Sequence, residues 1–342
     1  MKRPIWLLTV ILIAALTAGG CSHQSDRIPV IFDHDGATDD YIALLMLVGS
    51  ECCDLRAVTV SYGLGHRDTA VDASGLLLAA MGLDVPIAGH APSLRGPNSF
   101  PDDWRDMSDH VRALPMLQNL EVSPPGFDAV ALLIQAFDDS DRPVTVVATG
   151  PLTNIAAVLL QRPDLIAKIE HLVVMGGALR VPGNLQQPDT SEESATAEYN
   201  FFVDPGAADK IMALAAEGLG ITVAPLDVTN QLPLTADWLE RLRRNNTLGA
   251  QLAAGILGVV ETQIDEGRYY LWDGAAVVAL LSPESLRFET HALRVAESGS
   301  RAGTLLVADD RRGQVNIAIG VTDGYQPMER AAAWIAGVPR VR

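Results

Sequence analysis

Apolar, strand-like runs alternate with helical patterns along most of this chain, and this alternation constrains the fold more than any other feature. The predicted strands are almost continuously apolar and lie at 28–35, 55–62, 85–89, 144–149, 171–175 and 221–226. Strands that are apolar on both faces and are joined through helices are typical of a parallel sheet covered on both sides. The sequence therefore predicts an α/β fold, with an open, mostly parallel, Rossmann-like sheet and helices on both of its faces.

Helices are predicted between these strands and again near the end of the chain. Their patterns lie at 40–48, 69–81, 128–138, 154–161 and 205–216, within much of 235–281, and at 328–335. Further strands are predicted at 290–297, 304–308 and 316–321. Two long polar segments, 91–125 and 181–196, are expected to be active-site loops, because loops of this length are usually functional or disordered. No linker divides the chain, so residues 22–342 are predicted to form one domain.

The first twenty residues have the pattern of a secretory signal. Lys2 and Arg3 precede an apolar stretch at 5–16, and small residues at 18–20 precede Cys21. This order resembles a bacterial lipoprotein signal, in which the cysteine is lipidated and becomes the new N-terminus. We expect residues 1–20 to be a signal peptide and Cys21 to carry a lipid, with the protein exported and facing the periplasm or cell exterior. An ordinary cleaved signal is the alternative.

The charge of the chain disfavours several classes of partner. The sequence has 42 acidic and 25 basic residues, which gives a formal net charge of −17 at pH 7. A surface of this sign repels nucleic acids and anionic lipids. We therefore expect no nucleic-acid partner, and contact with a membrane only through the N-terminal lipid.

Four carboxylates lie within eight residues, at the carboxyl end of the first predicted strand and just beyond it. They are Asp33, Asp35, Asp39 and Asp40, and an apolar stretch follows them. Aspartate is common at helix starts, but that preference accounts for one or two of the four. The carboxyl end of a strand is where open α/β sheets bind ligands, and four like charges there repel one another unless a cation offsets them. Because hard divalent cations prefer oxygen ligands, the cluster predicts a metal site.

Two superfamilies place acidic residues at a strand end in this way. Residues 32–36 superficially resemble the first motif of haloacid-dehalogenase-like phosphatases. The segment 33–40 more closely resembles the aspartate signature of nucleoside hydrolases, in the form typical of their purine-specific inosine–adenosine–guanosine branch. Further elements of that family follow in order, at 148–154, 175–177, 183–184, 198–200 and 272–273. This ordered set, which spans nearly the whole mature chain, favours the nucleoside hydrolases.

The resemblance implies a reaction and a set of site residues. The reaction is calcium-dependent hydrolysis of the N-glycosidic bond of purine ribonucleosides to free base and ribose, with Asp35 as the general base toward the attacking water. The implied Ca²⁺ ligands are Asp35, Asp40, the backbone carbonyl of Thr149, and Asp273. The implied ribose-binding residues are Asp39, Asn184, Glu198 and Asn200. Asp33 is expected to hold other residues of the site in place without contacting the metal or the substrate itself.

Two tryptophans are expected to sandwich the purine. Trp272 occupies a position where relatives that accept pyrimidine nucleosides or inosine assist the leaving base with a histidine. Trp104 lies in a segment, 100–105, that resembles a loop of the purine-specific branch whose aromatic residues face the base. Stacking between two aromatic faces would make protonation of the base easier. The alternative for Trp104 is that it anchors its loop on the core.

Some positions depart from the family pattern. Ala37 and the pair at 64–65 stand where polar side chains near the ribose are expected. Two alternatives therefore stay open beside the hydrolase: a haloacid-dehalogenase-like phosphatase, and a nucleoside-binding lipoprotein that has lost turnover. The family resemblance also implies a homo-oligomer, either a dimer or a tetramer.

Overall fold

The computed structural model describes residues 27–90, 100–122, 128–185 and 196–338. In these parts of the chain the strands are β1 Ile28–His34, β2 Cys53–Val60, β3 Ile87–Gly89, β4 Val144–Ala148, β5 Ile169–Met175, β6 Ile221–Ala224, β7 Leu286–His291, β8 Leu293–Val295, β9 Leu305–Val307 and β10 Val315–Val321. The α-helices are α1 Thr38–Gly49, α2 Arg67–Ala80, α3 Asp102–Asp109, α4 Ala129–Asp139, α5 Thr153–Gln161, α6 Tyr199–Val203, α7 Pro205–Ala213, α8 Leu226–Thr229, α9 Ala236–Arg244, α10 Leu248–Gly258, α11 Glu261–Asp265, α12 Trp272–Leu281 and α13 Pro327–Ala336.

Eight strands form one twisted sheet in the order β3-β2-β1-β4-β5-β6-β10-β7. The first seven strands in this order pair in parallel with their neighbours. The edge strand β7 pairs antiparallel with β10. Strands β8 and β9 form a separate antiparallel pair. The predicted mostly parallel α/β sheet is confirmed, and each of the six strands predicted before residue 230 is present in it.

Helices cover both faces of the sheet, as predicted. Along β1, Val30 and Phe32 belong to one apolar cluster and Ile31 belongs to the other, because successive side chains of a strand point to opposite faces. The first cluster packs against α1, α10, α12 and α13, and the second packs against α4, α5 and α7. Helix α1 is buried around almost its whole circumference, which explains why its sequence is apolar without an obvious polar face.

The structure differs from the predicted elements in several places, and the short helices α6 and α8 were not predicted. The predicted strand at 290–297 is divided: β7 ends at His291 in the main sheet, and β8 begins at Leu293 and pairs with β9. The predicted loop at 91–125 contains helix α3, which begins after Pro101 and has Asp102 and Asp103 in its first turn. Proline followed by acidic residues is a helix-start signal that the loop interpretation overlooked.

Several predictions fall on parts of the chain outside the described residues. The signal at 1–20 and the lipidated Cys21 do so, and both long polar segments are described only in part. Among the described helices, none combines the length and the hydrophobicity that a bilayer-spanning segment needs.

The strand order creates a crevice at the carboxyl ends of β1 and β4. These strands are neighbours in the sheet although β2 and β3 separate them in sequence, so the connections leave them in opposite directions. In open α/β sheets ligands bind at such a switch point. Helix α1 starts directly beyond β1, and α12 packs against α1. The fold therefore brings the N-termini of α1 and α12 to the same crevice.

Candidate active site

A cavity of about 410 Å³ opens at this crevice, and its volume lies in the range of small-molecule sites. Nearly all of the residues predicted for the site line it: Asp35, Asp39, Trp104, Thr149, Asn184, Glu198, Asn200, Trp272 and Asp273. Asp40, the remaining one, is fully buried behind Asp35 and Thr149 and is hydrogen-bonded to both. The structure brings the predicted site residues together, while their individual roles stay predictions.

Asp40 stabilises the turn between β1 and α1. Its Oδ2 accepts hydrogen bonds from the backbone N–H of Ala37 at 2.8 Å and of Asp35 at 3.2 Å, and its Oδ1 accepts one from the Thr149 hydroxyl. Burial raises the pKa of Asp40, but the nearby His34, whose Nδ1 lies 3.7 Å from Asp40 Oδ2, and the hydrogen bonds that Asp40 accepts outweigh it and hold that pKa below its ordinary value. Asp40 is therefore fully buried and held by hydrogen bonds from the β1–α1 turn and from Thr149.

Asp35 lies between two backbone segments that approach it closely. The N–H of Leu64 donates to its Oδ2 at 2.9 Å. A Cβ on Gly63 would lie 2.1 Å from that Oδ2, and a Cβ on Gly150 would lie 2.7 Å from the Asp35 Cβ. The next residue, Gly36, has φ +83°, a conformation that favours glycine. Tight packing and one directed hydrogen bond thus fix the Asp35 carboxylate at the cavity wall.

Asp273, from near the end of the chain, joins this acidic cluster. It is buried, and Asp39, Asp40 and Asp35 lie close enough for their charges to act on it. Burial and then the charges of Asp39, Asp40 and Asp35 raise the pKa of Asp273 well above its ordinary value. Burial and the charge of Asp40 likewise raise the pKa of Asp39 to about 7, and the pKa of Asp35 is also raised. The cluster therefore holds more negative charge than its surroundings offset.

The donor atoms at this position suit a hard divalent cation. The predicted ligand set consists of carboxylate oxygens and the backbone carbonyl of Thr149, and every residue in it is buried. A cation bound at this point would offset the repulsion between the carboxylates and so lower their raised pKa values. Within the described residues, no group of three or more His, Cys, Asp or Glu side chains is arranged so that these side chains could hold a metal ion.

Asp33 lies one layer below the cavity, as expected. Its Oδ1 accepts hydrogen bonds from the Thr59 hydroxyl at 2.6 Å and from Asn154 Nδ2 at 2.8 Å. Its Oδ2 and the neighbouring Asn154 Oδ1 are buried without a hydrogen-bond partner. Burial raises the pKa of Asp33 to about 6, against the hydrogen bonds from Asn154 and Thr59. Asp33 therefore holds β2 and α5 against β1 rather than facing the cavity.

The polar residues on the opposite wall are largely held by the backbone. Glu198 caps α6 and accepts hydrogen bonds from the N–H groups of Gly177 and Asn200, both at 2.9 Å. Asn200 Nδ2 donates to the carbonyl of Thr149 at 2.8 Å, so it touches the atom predicted to bind the metal. Asn184 Oδ1 accepts from the N–H of Tyr199 at 3.0 Å. These contacts fix the orientation of the side chains that were predicted to bind ribose.

Aromatic rings line the mouth of the cavity. Trp104 meets the ring of Tyr199 edge-on with centroids 5.6 Å apart, and Trp272 meets Tyr269 in the same manner at 4.9 Å. The Tyr269 hydroxyl donates to Asp39 Oδ1 at 3.3 Å. Tyr199 stacks on Phe100 at 4.5 Å. Both tryptophans are half-buried, so each keeps part of its indole accessible from the cavity.

Sequence reasoning missed several residues of the wall. It indicated the aromatic residues of the segment 100–105, but it named none of Tyr199, Met107, Gln263 or Arg268. Tyr199 lies inside a recognised motif and could have been found there; the others carry no local signal. At the positions that depart from the family pattern, Ala37 and Leu64, the backbone N–H groups hold Asp40 and Asp35.

Comparisons with known proteins agree with this geometry. The sequence profile of the inosine-uridine preferring nucleoside hydrolase family matches residues 30–327. Pyrimidine-specific ribonucleoside hydrolases named RihA are similar to the chain: that of Shewanella woodyi is 30% identical over 82% of this chain and 88% of its own length, and that of Citrobacter koseri is 32% identical over 75% and 80%. An inosine-uridine preferring nucleoside hydrolase from Bacillus anthracis superposes with a TM-score of 0.80 at 28% identity, over 91% of this chain and 99% of its own. The chain therefore belongs to the nucleoside hydrolase family.

Proposed function

We propose that this protein is a calcium-dependent N-ribohydrolase that splits purine ribonucleosides into free base and ribose. Membership of the family supports nucleoside hydrolysis in general. The observation that carries the finer proposal is the meeting of Asp35, Asp39, Asp40 and Asp273 in one buried cluster beside an aromatic cavity mouth. Carboxylates at the bottom of the cavity can stabilise the positive charge that develops on the anomeric carbon of the sugar. The aromatic rings at the cavity mouth can stack on the base.

Asp35 is the group that accepts a proton in this mechanism. Its carboxylate is fixed by the Leu64 N–H and faces the cavity, which suits a general base toward water. Asp35, Asp40, Asp273 and the Thr149 carbonyl would hold a divalent cation, which when bound supplies acidification of water and orientation of sugar hydroxyls. The buried carboxylates stabilise the oxocarbenium-like charge that develops on the ribose.

The remaining residues bind and orient the substrate. Asp39 and Glu198 offer acceptors to ribose hydroxyls, and the amides of Asn184 and Asn200 offer both donors and acceptors. The indoles of Trp104 and Trp272 would flank the base, where stacking favours its protonated form as it leaves.

A second candidate differs in the base. The Shewanella woodyi and Citrobacter koseri relatives are named as pyrimidine-specific, which favours uridine or cytidine as the substrate. The two tryptophans support the purine proposal because a bicyclic base offers more surface to stack than a pyrimidine does.

The test is a substrate panel with the mature protein. Chelator-treated and calcium-restored samples are incubated with inosine, adenosine, uridine, cytidine and a phosphate monoester, and base, ribose and phosphate are measured. We expect base release that requires calcium and a kcat/KM at least tenfold higher for inosine than for uridine. The reverse preference would establish the pyrimidine candidate. Phosphate release would favour the phosphatase alternative, and nucleoside binding without base release would favour the inactive binding protein.

We also propose that the protein is exported, anchored through a lipid on Cys21, and assembled as a dimer or tetramer. The N-terminal pattern supports the first two statements and the family resemblance supports the third. Fractionation of cells that produce the wild type and Cys21→Ser tests the anchor, since the variant should leave the membrane fraction. Light scattering on the mature protein measures the oligomer.

A further inference from the structure

Helix α3 carries Trp104 to the cavity, and of its side chains only the half-buried Met107 packs against the first apolar cluster. Of its eight residues Ser108 alone is buried, and no side chain caps its N-terminus. A helix of two turns is not stable by itself in water. The position of Trp104 therefore depends on the contacts that α3 makes with the rest of the protein.

Two polar contacts fix α3 to the loop between β2 and α2, residues 61–66, which we call the support loop. Arg105 Nε donates to the carbonyl of Leu64 at 3.1 Å. The Nδ1 of His66 lies 2.7 Å from Asp109 Oδ2, and the backbone N–H of His66 donates to Asp109 Oδ1 at 3.3 Å. Because a carboxylate only accepts hydrogen bonds, the ring Nδ1 and the backbone N–H of His66 are the donors in this pair. One contact lies near the middle of α3 and the other at its end.

The support loop is also the segment that holds Asp35. The N–H of Leu64 donates to Asp35 Oδ2 at 2.9 Å, and the N–H of Gly65 donates to the Asp35 carbonyl at 2.7 Å. At Gly63 the loop approaches the carboxylate too closely to admit a Cβ. A shift of this loop would therefore displace the Asp35 carboxylate and α3 together.

We propose that Arg105 and the His66–Asp109 pair are positioning residues for nucleoside cleavage. They join the helix that bears Trp104 to the loop that orients Asp35, and so keep the base site at a fixed distance from the proton-accepting carboxylate. This inference rests on the proposed function, because that function assigns Trp104 to the base and Asp35 to the attacking water.

The kinetic test uses Arg105→Ala, Arg105→Lys and His66→Ala. We expect kcat/KM on the preferred nucleoside to fall about tenfold or more in both alanine variants, since small misplacements of catalytic groups are costly. Arg105→Lys should recover most of the loss, because an ammonium group can also donate to the Leu64 carbonyl. The control is Arg112→Ala: Arg112 Nε donates to Asp72 at 2.9 Å on the exposed surface and does not line the cavity, so kcat/KM should stay within twofold.

A second measurement does not depend on turnover. Hydrogen–deuterium exchange of Arg105→Ala should accelerate both in the peptide covering 62–67 and in the peptide covering 100–109, whereas Arg112→Ala should leave 62–67 unchanged. Acceleration confined to 100–109, with kcat/KM within twofold of wild type, would overturn the proposal. If the wild type releases no base from any nucleoside, the proposed function fails, and coupled exchange of the two peptides still decides whether the link exists. If Arg105→Ala does not fold, His66→Ala supplies the same comparison.

Discussion

Neighbouring carboxylates in this site differ because their immediate surroundings differ. Asp40 accepts several hydrogen bonds and has a lowered pKa, whereas burial and mutual repulsion raise the pKa of Asp35, Asp39 and Asp273. One carboxylate thus organises the turn, and the others face the cavity with charge that a cation can offset. The residue type alone does not distinguish these roles.

Asp35→Asn should lower kcat by about 10²- to 10⁴-fold, because the amide cannot accept the proton of the attacking water. It should also weaken calcium binding, since one charged ligand is lost. Steady-state kinetics and calorimetric titration with calcium measure the two effects. Asp138→Asn, which changes an exposed carboxylate on α4 that pairs with Arg162, should alter neither. Equal calcium affinity in wild type and Asp35→Asn would contradict the assigned ligand role.

Asp33→Asn should stabilise the chelator-treated protein at pH 8 relative to wild type and have little effect at pH 4. Burial raises the folded-state pKa of Asp33 from 3.8 to about 6, so the folded protein favours the protonated form. The stability contributed by that proton is present below pH 4 and is lost as the pH rises through about 6. The shift corresponds to about 3 kcal/mol at most. Urea unfolding at several pH values measures the difference, and a difference that does not change with pH would contradict this explanation.

At the scale of the elements, turns after strands build the site. The turn after β1 carries Asp35 to Asp40, the turn after β4 supplies Thr149 and Gly150, and the support loop after β2 closes over Asp35. Two of these turns approach Asp35 so closely that glycine is required where they touch it. The geometry of the site therefore depends on backbone that has no catalytic group of its own.

Gly63→Ala should lower kcat/KM by about tenfold or more, because its methyl group would collide with the Asp35 carboxylate and displace it. The matched control is Gly258→Ala at the end of α10, where an added Cβ meets nothing within 4 Å. That control should keep full activity and raise the free energy of unfolding by up to about 1 kcal/mol. Kinetics and urea unfolding of both variants measure this, and full activity in Gly63→Ala would show that the support loop can yield.

At the scale of the whole molecule, one acidic cluster connects the beginning and the end of the fold. Tyr269 and Asp39 are hydrogen-bonded although 230 positions separate them in sequence, and Asp273 lies in the first turn of α12. The packing of α12 against the buried helix α1 makes this contact possible. A ligand bound to the cluster would therefore stabilise a large part of the core at once.

Calcium should raise the unfolding temperature of the chelator-treated protein. A ligand that binds only the folded state at a hundred times its Kd adds about 2.7 kcal/mol to the free energy of unfolding. Asp273→Asn should remove most of this calcium-dependent increase while Asp138→Asn retains it. Differential scanning calorimetry with and without calcium makes the comparison. An unchanged increase in Asp273→Asn would mean that the cation binds elsewhere.

The sequence by itself determined the α/β class, the strands before residue 230, and the set of acidic, polar and tryptophan residues that line the cavity. These features are encoded locally, because strand and helix periodicity and ordered motifs involve residues close together in the chain. The tertiary structure alone decided that Asp40 supports the turn, that Glu198 caps α6, and that α3 is fastened to the support loop. Those outcomes depend on which backbone N–H groups come within reach of each carboxylate, and that is settled only when strand order and helix packing bring distant segments together.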